Sequence, residues 1–398
     1  MIQEFFDRIE DPRRPLLGPN YWLIKKVGLI LPKNPISKIL YLIYHEYITA
    51  FVLTQYIELY MVRSDLDLIL TNLMASVVSF ICVAKVNAFI YRQNNWKEVL
   101  DYITETDKNE RGTSDTTMKQ IINSYTKYCR QLIKFYWVLL LITFICVSGS
   151  PLIRCLSSSN YREAISNGTE PFPHIYSSWV PFDKFSSPGC WITVCIHISC
   201  CAYGATMIAA YDSMILVIMI FFEGSLKLLR HKCKNMFGSN GLGVTDEQAK
   251  ITLRELYTTH ILLLKYSKLF DSLLSPIMFL YVVMFSIMLC ACIFQFTIAT
   301  TTTQTLLMIQ YFIFAISSIF VFCWHSNKVL EQSQQVFMGP YESEWWIMGA
   351  KQRKEVLILT GQLKLFPVFS AGPFNKLTIS TFVTIMKGAY SYYTLLRK

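Results

Sequence analysis

Charge is scarce in this sequence. Only 16% of its 398 residues are Asp, Glu, Lys or Arg, against ~25% in soluble domains, so a large soluble fold is excluded. The 12 cysteines include no zinc-like CxxC pairs with matching histidines, and the six histidines do not cluster. There is no P-loop, no GxGxxG after a strand, and no HExxH or GxSxG pattern. No enzyme, cofactor or metal is therefore expected. Internal repeats and low-complexity tracts are also missing. The opening "MIQEFFDRIEDPRRP" is charged from residue 4 and has no apolar h-region. It does not read as a cleavable signal peptide, so the first span is expected to direct its own insertion.

What is abundant is apolar. Hydrophobic residues make up 53% and aromatics 15%, with a mean hydropathy of +0.35. Six strong runs, Ile36–Tyr60, Leu66–Tyr91, Leu132–Leu156, Trp191–Phe222, Leu269–Ile298 and Thr305–His325, and a weaker one, Phe374–Leu396, each hold the ~20 residues that cross a bilayer as a helix. Membrane β-strands would alternate over ~10 residues instead. The expected fold is all-α, with seven transmembrane helices. Glu46, Glu58, Lys85, Asp212 and His197 lie inside these runs and should face protein or water. His197 reads as a helix contact or pocket wall rather than a metal ligand.

Lys and Arg set the orientation. The segments 1–35, 92–131, 223–268 and 327–373 hold 26 of them. The alternate loops hold four, namely Arg63, Arg154, Arg162 and Lys184. This bias places the N-terminus inside the cell and the C-terminus outside, although Arg397-Lys398 runs against it locally. The net charge of +10 then reflects topology and anionic lipid headgroups, not nucleic acid. The sequon at Asn167-Gly-Thr falls in the outer 157–190 loop and is a candidate glycosylation site. Cys155 and Cys190 flank that loop, and a disulfide between them is left open.

The expected organisation follows. A cytoplasmic arm (1–35) precedes helices 1–4 (36–222), whose 157–190 loop should fold as a lid. Cytoplasmic extensions of helices 4 and 5 (223–268) follow, with Thr245 a suitable N-cap. Next come helices 5–6 (269–326), a cytoplasmic anchor segment (327–372) containing the amphipathic "ESEWWIMGAKQRKEVLILTGQL", and the last helix (373–398).

That last helix is unusual. Ser380, Thr384, Lys387, Ser391, Thr394 and Lys398 share one stripe roughly 80° wide at 100° per residue. Phe382, Val383, Ile385, Met386, Ala389, Tyr390 and Tyr393 occupy the remainder. From the residues alone, the stripe is equally a water-facing surface or a polar seam buried between helices.

The final sixty residues narrow the choice. Tyr341, Trp345, Arg353, Lys354, Gln362, Ala371-Gly372, Phe374, Thr381-Phe382, Lys387, "AYSY" at 389–392 and Leu395-Leu396 closely resemble the C-terminal signature of insect odorant receptors. "WVPFD" at Trp179–Asp183 and "YDSMI" at Tyr211–Ile215 also look like family features. The resemblance implies an odorant-sensing subunit of a ligand-gated, non-selective cation channel. It would sit in the plasma membrane of olfactory sensory neurons, in a heterotetramer with the co-receptor Orco. The long intracellular insertion of Orco itself is missing from 223–268. A gustatory receptor of the same superfamily would end in a "TY…L.QF"-like motif, where this chain ends "SYYTLLRK". A G-protein-coupled receptor would need an extracellular N-terminus and DRY- or NPxxY-like motifs.

The resemblance also implies site residues. The last helix is split, with its membrane half lining a tetrameric pore through Ser380, Thr384, Lys387 and Ser391. An apolar constriction falls at Leu395, with Thr394 and Lys398 beside it. An apolar odorant pocket is implied in the outer half of the membrane, between helices two, three, four and six. Candidates at helical spacing are Leu70, Leu73 and Met74, then Cys146, Gly149 and Ser150. On helix four they are His197, Cys201, Tyr203 and Met207, and on helix six Met308, Tyr311 and Phe312. Tyr203 and Tyr311 lead the set, because each offers a ring and a hydroxyl.

Overall fold

The long apolar runs fold as long helices. The structure, a computed structural model, describes residues 4, 8–64, 66–157, 159–167, 172–238, 245–298, 302–366 and 368–396. In chain order the helices are α1 (Gly18–Lys26), α2 (Pro35–Met61), α3 (Leu66–Tyr91), α4 (Gln93–Arg111), α5 (Thr116–Ser157) and α6 (Ser159–Ser166). They continue with α7 (Gly189–Lys234), α8 (Asp246–Ile298), α9 (Thr302–Val336), α10 (Met338–Glu342), α11 (Ala350–Leu363) and α12 (Ile379–Leu396). Six of them, α2, α3, α5, α7, α8 and α9, are long and apolar enough to cross a membrane. The 18 residues of α12 span about 27 Å, just short of a ~30 Å hydrocarbon core.

Local chemistry starts these helices. Asn34 caps α2, accepting from the Ile36 N–H at 3.0 Å, with Pro35 at the first turn. Asp115 caps α5 through the Thr117 and Met118 N–H groups at 2.7 and 3.2 Å. A hydrogen bond from His231 holds the Asp115 carboxyl below its ordinary range. Thr245 caps α8 reciprocally with Gln248, its hydroxyl accepting from the Gln248 N–H and its own N–H donating to Oε1. Pro276 lies inside α8 and cannot donate to the Ser272 carbonyl. Arg92 does so instead, at 2.8 Å.

Burial follows the pattern of apolarity. The membrane stretch of α7 is apolar all round and is enclosed by α1, α3, α5, α8 and α9. In contrast, α2 and α5 bury one stripe and expose Leu40, Ile43, Leu53, Phe135, Leu141 and Ile145 outward. These are the faces lipid would cover. Inside the bundle Lys85 of α3 meets Asp212 of α7 at 2.6 Å, both almost wholly buried. The Tyr136 hydroxyl donates to the other Asp212 oxygen at 2.8 Å, and the Tyr281 ring lies 4.3 Å from the Lys85 ammonium. Such a pair persists in an apolar interior only when its hydrogen bonds are filled. Glu58 pairs with Lys184 and His197 with Ser178. Glu46 differs, since it stands exposed on the outward face of α2 between Ile43 and Tyr47 instead of turning inward.

The lower ends of α5, α7 and α8 join α4, α10 and α11 in a helical bundle. Tyr102 stacks on Tyr266 at 3.9 Å, Lys232 pairs with Glu110 at 2.6 Å, and Arg230 pairs with Glu342. The last helix begins later than the Phe374 read from hydropathy. Ser370–Ala371 and Asn375–Lys376 pair as a minimal antiparallel hairpin, the one departure from an all-α chain among the described residues. Gly372 turns it at a φ of +73°, and a Cβ there would meet the Phe279 ring at 2.7 Å. The hairpin is fixed to α8, with the Ser370 N–H donating to Asp271 at 2.7 Å and the Gly372 N–H to the Ser275 carbonyl at 3.1 Å.

Candidate functional site

Small residues on α7 leave a void beside a crowded helix. Cys200, Cys201, Gly204 and Ala205 face Ile48 and Phe51 of α2, Ser79 and Cys82 of α3, Thr143 of α5, and Tyr311 and Phe314 of α9. They enclose a cavity of about 80 Å³ with no charged side chain in its wall. Ser79 and Thr143 donate to carbonyls of their own helices, at 3.0 and 2.9 Å. The phenols of Tyr176 and Tyr311 are thus the groups suited to orient a polar substituent. Everything else favours a small apolar guest.

The loop after α6 forms the roof. Tyr176 reaches the cavity and packs edge-on against Phe51 and His197, at 5.9 and 5.6 Å. The Trp179 N–H donates to the Thr54 carbonyl at 3.2 Å, and Lys184 bridges Glu58 at 2.7 Å and the Ser178 carbonyl at 3.1 Å. Buried Ser178 bonds His197 Nε2 at 2.9 Å. The His174 imidazole contacts the Lys184 carbonyl at 3.0 Å, and burial holds its pKa below the ordinary 6.5. Cys190 is a free, buried thiol, and the side chain of Cys155 lies outside the described residues.

Of the pocket candidates, Cys201 and Tyr311 line the cavity. Tyr203 and His197 do not. The Tyr203 hydroxyl is engaged by His45 Nδ1 at 2.7 Å, and His197 supports the lid from behind. Met74 is buried against Cys292, and Met207 and Met308 are buried in the core. Leu70, Leu73 and Phe312 pack partly buried against that core. Cys146 is exposed, and Gly149 faces Ile153 of its own helix. The side chain of Ser150 lies outside the described residues. The cavity falls between the four helices anticipated, but it also takes walls from α2 and Tyr176. On α3 its lining runs from Ala75 to Val83, centred about two turns deeper than Leu70–Met74. The "CC..GA" run at 200–205 was the available signal, since small residues at helical spacing make room.

On α12, Ser380, Thr384, Lys387, Ser391 and Thr394 are all exposed, together with Val383 and Tyr390. Phe382, Ile385, Met386 and Ala389 turn inward against α8 and α9. The polar stripe is therefore not a seam between helices of this one chain. The Thr384 and Ser391 hydroxyls donate back to Ser380 and Lys387 carbonyls, both at 2.9 Å. The Leu395 side chain and all of Lys398 lie outside the described residues. Asn167 is exposed just after α6. Cavity and stripe are linked through α9. Tyr311 and Phe314 reach the cavity, and about 9 Å further along the helix Phe320 meets Phe382 of α12 at 5.4 Å.

Comparison with known proteins identifies the family and the fold. A family model described as "7tm Odorant receptor" matches residues 65–390. Odorant receptor 10 of Aedes albopictus is 23% identical over 286 residues, 71% of this chain and 72% of that protein. Odorant receptor 30a of Drosophila melanogaster is 23% identical over 350 residues, covering 87% of both chains. The insect olfactory receptor OR5 from Machilis hrabei has a similar fold, with a TM-score of 0.81 at 15% identity over 99% of this chain and 98% of that one. Its complex with eugenol gives a TM-score of 0.80 at 16% identity, over 97% and 99%. With more than three quarters of its length matched by the family model, this multi-pass membrane chain belongs to the seven-transmembrane odorant receptor family.

Proposed function

We propose that this receptor is the odorant-sensing subunit of a ligand-gated, non-selective cation channel, assembled with the co-receptor Orco as a heterotetramer in the plasma membrane of olfactory sensory neurons. The observation that carries the reading is the pairing of an uncharged, lidded cavity with an exposed polar face on α12, joined by one helix, α9. A small volatile molecule enters the cavity, buries its apolar surface and orients through Tyr176 or Tyr311. Outward pressure on Tyr311 and Phe314 shifts α9, and Phe320 passes that shift to Phe382. The hairpin fixed to Asp271 and Ser275 holds the lower end of α12, so its upper end moves. Ser380, Thr384, Lys387, Ser391 and Thr394 then line the pore, and Leu395 is the apolar constriction that opens by wetting. Lys398 stands beside it.

The remaining assignments form part of the same reading. The arm 1–35, the segment 223–268 and the anchor 327–372 lie in the cytoplasm, and Asn167 is extracellular and available for glycosylation. Leu70, Leu73, Met74, Cys146, Gly149, Ser150, His197, Tyr203, Met207, Met308 and Phe312 shape the cavity from behind its wall or bound the path to it. Cys201 and Tyr311 touch the guest. The test is expression with and without Orco, recording currents against an odorant panel. Odorant-evoked cation currents are expected only with Orco. Robust currents from this subunit alone, in cells verified to lack Orco, would contradict the heteromer, and a response blocked by G-protein inhibition would contradict the channel.

A further inference from the structure

A second cleft, of about 560 Å³, opens between α5, α7 and α9, well away from the odorant cavity. It lies where the apolar runs of all three helices give way to charge. Tyr128 precedes the run that begins at Leu132, Glu223 and Lys227 follow the one that ends at Phe222, and His325 and Lys328 follow Phe322 and Cys323. On the proposed topology that plane is the membrane–water boundary on the side carrying the excess of Lys and Arg. Trp324 and Tyr128 are 38% and 42% exposed there, as aromatic residues of an interfacial belt are.

Both signs of charge line the cleft. Lys227 pairs with Glu223 at 2.6 Å, and Lys328 pairs with Glu331 at 3.1 Å. The lysines are 43% and 37% exposed, so neither pair consumes its ammonium, which has three donors. His325 is only 2% exposed, and its Nδ1 is buried without a hydrogen-bond partner among the described residues. Its Nε2 lies 3.5 Å from the Tyr128 hydroxyl. At Gly224 a Cβ would meet the Tyr125 ring at 2.6 Å, so the chains approach closely at the cleft floor. Towards the membrane centre the flanking side chains are apolar and exposed, Phe135 on α5 and Phe320 on α9.

We propose that this cleft binds the headgroup of a zwitterionic phospholipid. Glu223 lines the cleft beside Lys227, and Glu331 offsets Lys328 from outside the lining, so the site suits a headgroup of zero net charge better than an anionic one. The phosphate sits on Lys227 and Lys328. The trimethylammonium rests beside Glu223 and over the Tyr128 ring. The acyl chains run along Phe135 and Phe320. Trp324 lies tilted against Phe320 with ring centroids 5.7 Å apart, and Phe320 contacts α12, so the lipid sits against the helix that carries gating. Placing the site in the inner leaflet rests on the proposed orientation, but its chemistry does not.

The test uses the full-length receptor, purified in detergent and incubated with a phosphatidylcholine bearing a photoreactive group next to its glycerol. Labelled peptides are then sequenced. Labelling is expected on α5 around Tyr128 and on α9 around Trp324. It should be competed by unlabelled phosphatidylcholine, and should fall about tenfold in Lys227→Ala/Lys328→Ala but not in Lys227→Arg/Lys328→Arg. If the alanine double variant is not monodisperse on gel filtration, Tyr128→Leu serves in its place with the same expectation. Labelling elsewhere, or unchanged in these variants, overturns the proposal. Stronger competition by phosphatidylglycerol shows an anionic site, and equal competition by soluble phosphocholine shows a headgroup site without lipid; either result also overturns it. Odorant currents are measured in the same variants, so loss of labelling with intact odorant binding separates this claim from the channel reading.

Discussion

Gly204 offers a direct way to fill the cavity proposed to hold the odorant. It lies within α7, lines the void, and a Cβ built on it meets no heavy atom within 4 Å. Gly204→Ala should therefore stabilise the helix by up to about 1 kcal/mol, because glycine is a poor helix former. It places one carbon in the cavity. Each ligand CH₂ displaced forfeits about 0.8 kcal/mol of burial, a factor of roughly four in affinity. Gly204→Leu adds four carbons and should displace up to roughly 3 kcal/mol of ligand burial, on the order of a hundredfold. The assay is a dose–response series of odorants increasing by one methylene, in cells expressing the co-receptor, with a direct co-receptor agonist as control. The loss should grow with odorant size while the agonist response stays intact. If Gly204→Leu reached the surface and left the largest agonist's sensitivity within about twofold, an effect smaller than one methylene, the cavity would not be the odorant site.

Three further outcomes follow from the same contacts. Lys85→Met leaves Asp212 charged and unpaired in the bundle and should cost about 3–5 kcal/mol, read as a lowered melting temperature in detergent; Lys85→Met/Asp212→Leu should recover most of it. Glu58→Gln removes the partner of Lys184, one of the contacts that hold the lid, and should speed odorant dissociation in washout recordings more than it changes maximal current. His174 is held below its ordinary pKa of 6.5 by burial, so folding of the lid favours the neutral ring. Its contribution is complete above 6.5 and is lost as pH falls below that value, so odorant sensitivity should fall in acidified outer solution, and His174→Gln should flatten the dependence.

The sequence revealed the long elements because their causes are local. Apolar runs located six membrane helices, and Thr245 marked the start of α8 through a capping pattern confined to four residues. The stripe from Ser380 to Thr394 was legible because one helix's periodicity determines it. The pairing of Lys85 with Asp212 was not, although each was expected to face protein or water. Their separation of 127 positions makes the match a matter of how two helices rotate and slide. The same rotation hid the cavity wall. Tyr203 and Gly204 are neighbours in sequence, yet one turns to His45 and the other to the void. Phe374 was assigned to the last helix because hydropathy is blind to a turn, and the positive φ of Gly372 with its bond to Ser275 puts a hairpin there.

The account's central claim is that odorant in the cavity opens a pore lined by α12. Cysteines placed singly from Ser380 to Thr394 and exposed to a water-soluble thiol reagent test it most directly, with reaction followed as loss of current before and during odorant. Reaction is expected at 380, 384, 387, 391 and 394, faster with odorant bound, and slow at 382, 385, 386 and 389. Reaction without that period, or at rates odorant does not change, would contradict the claim.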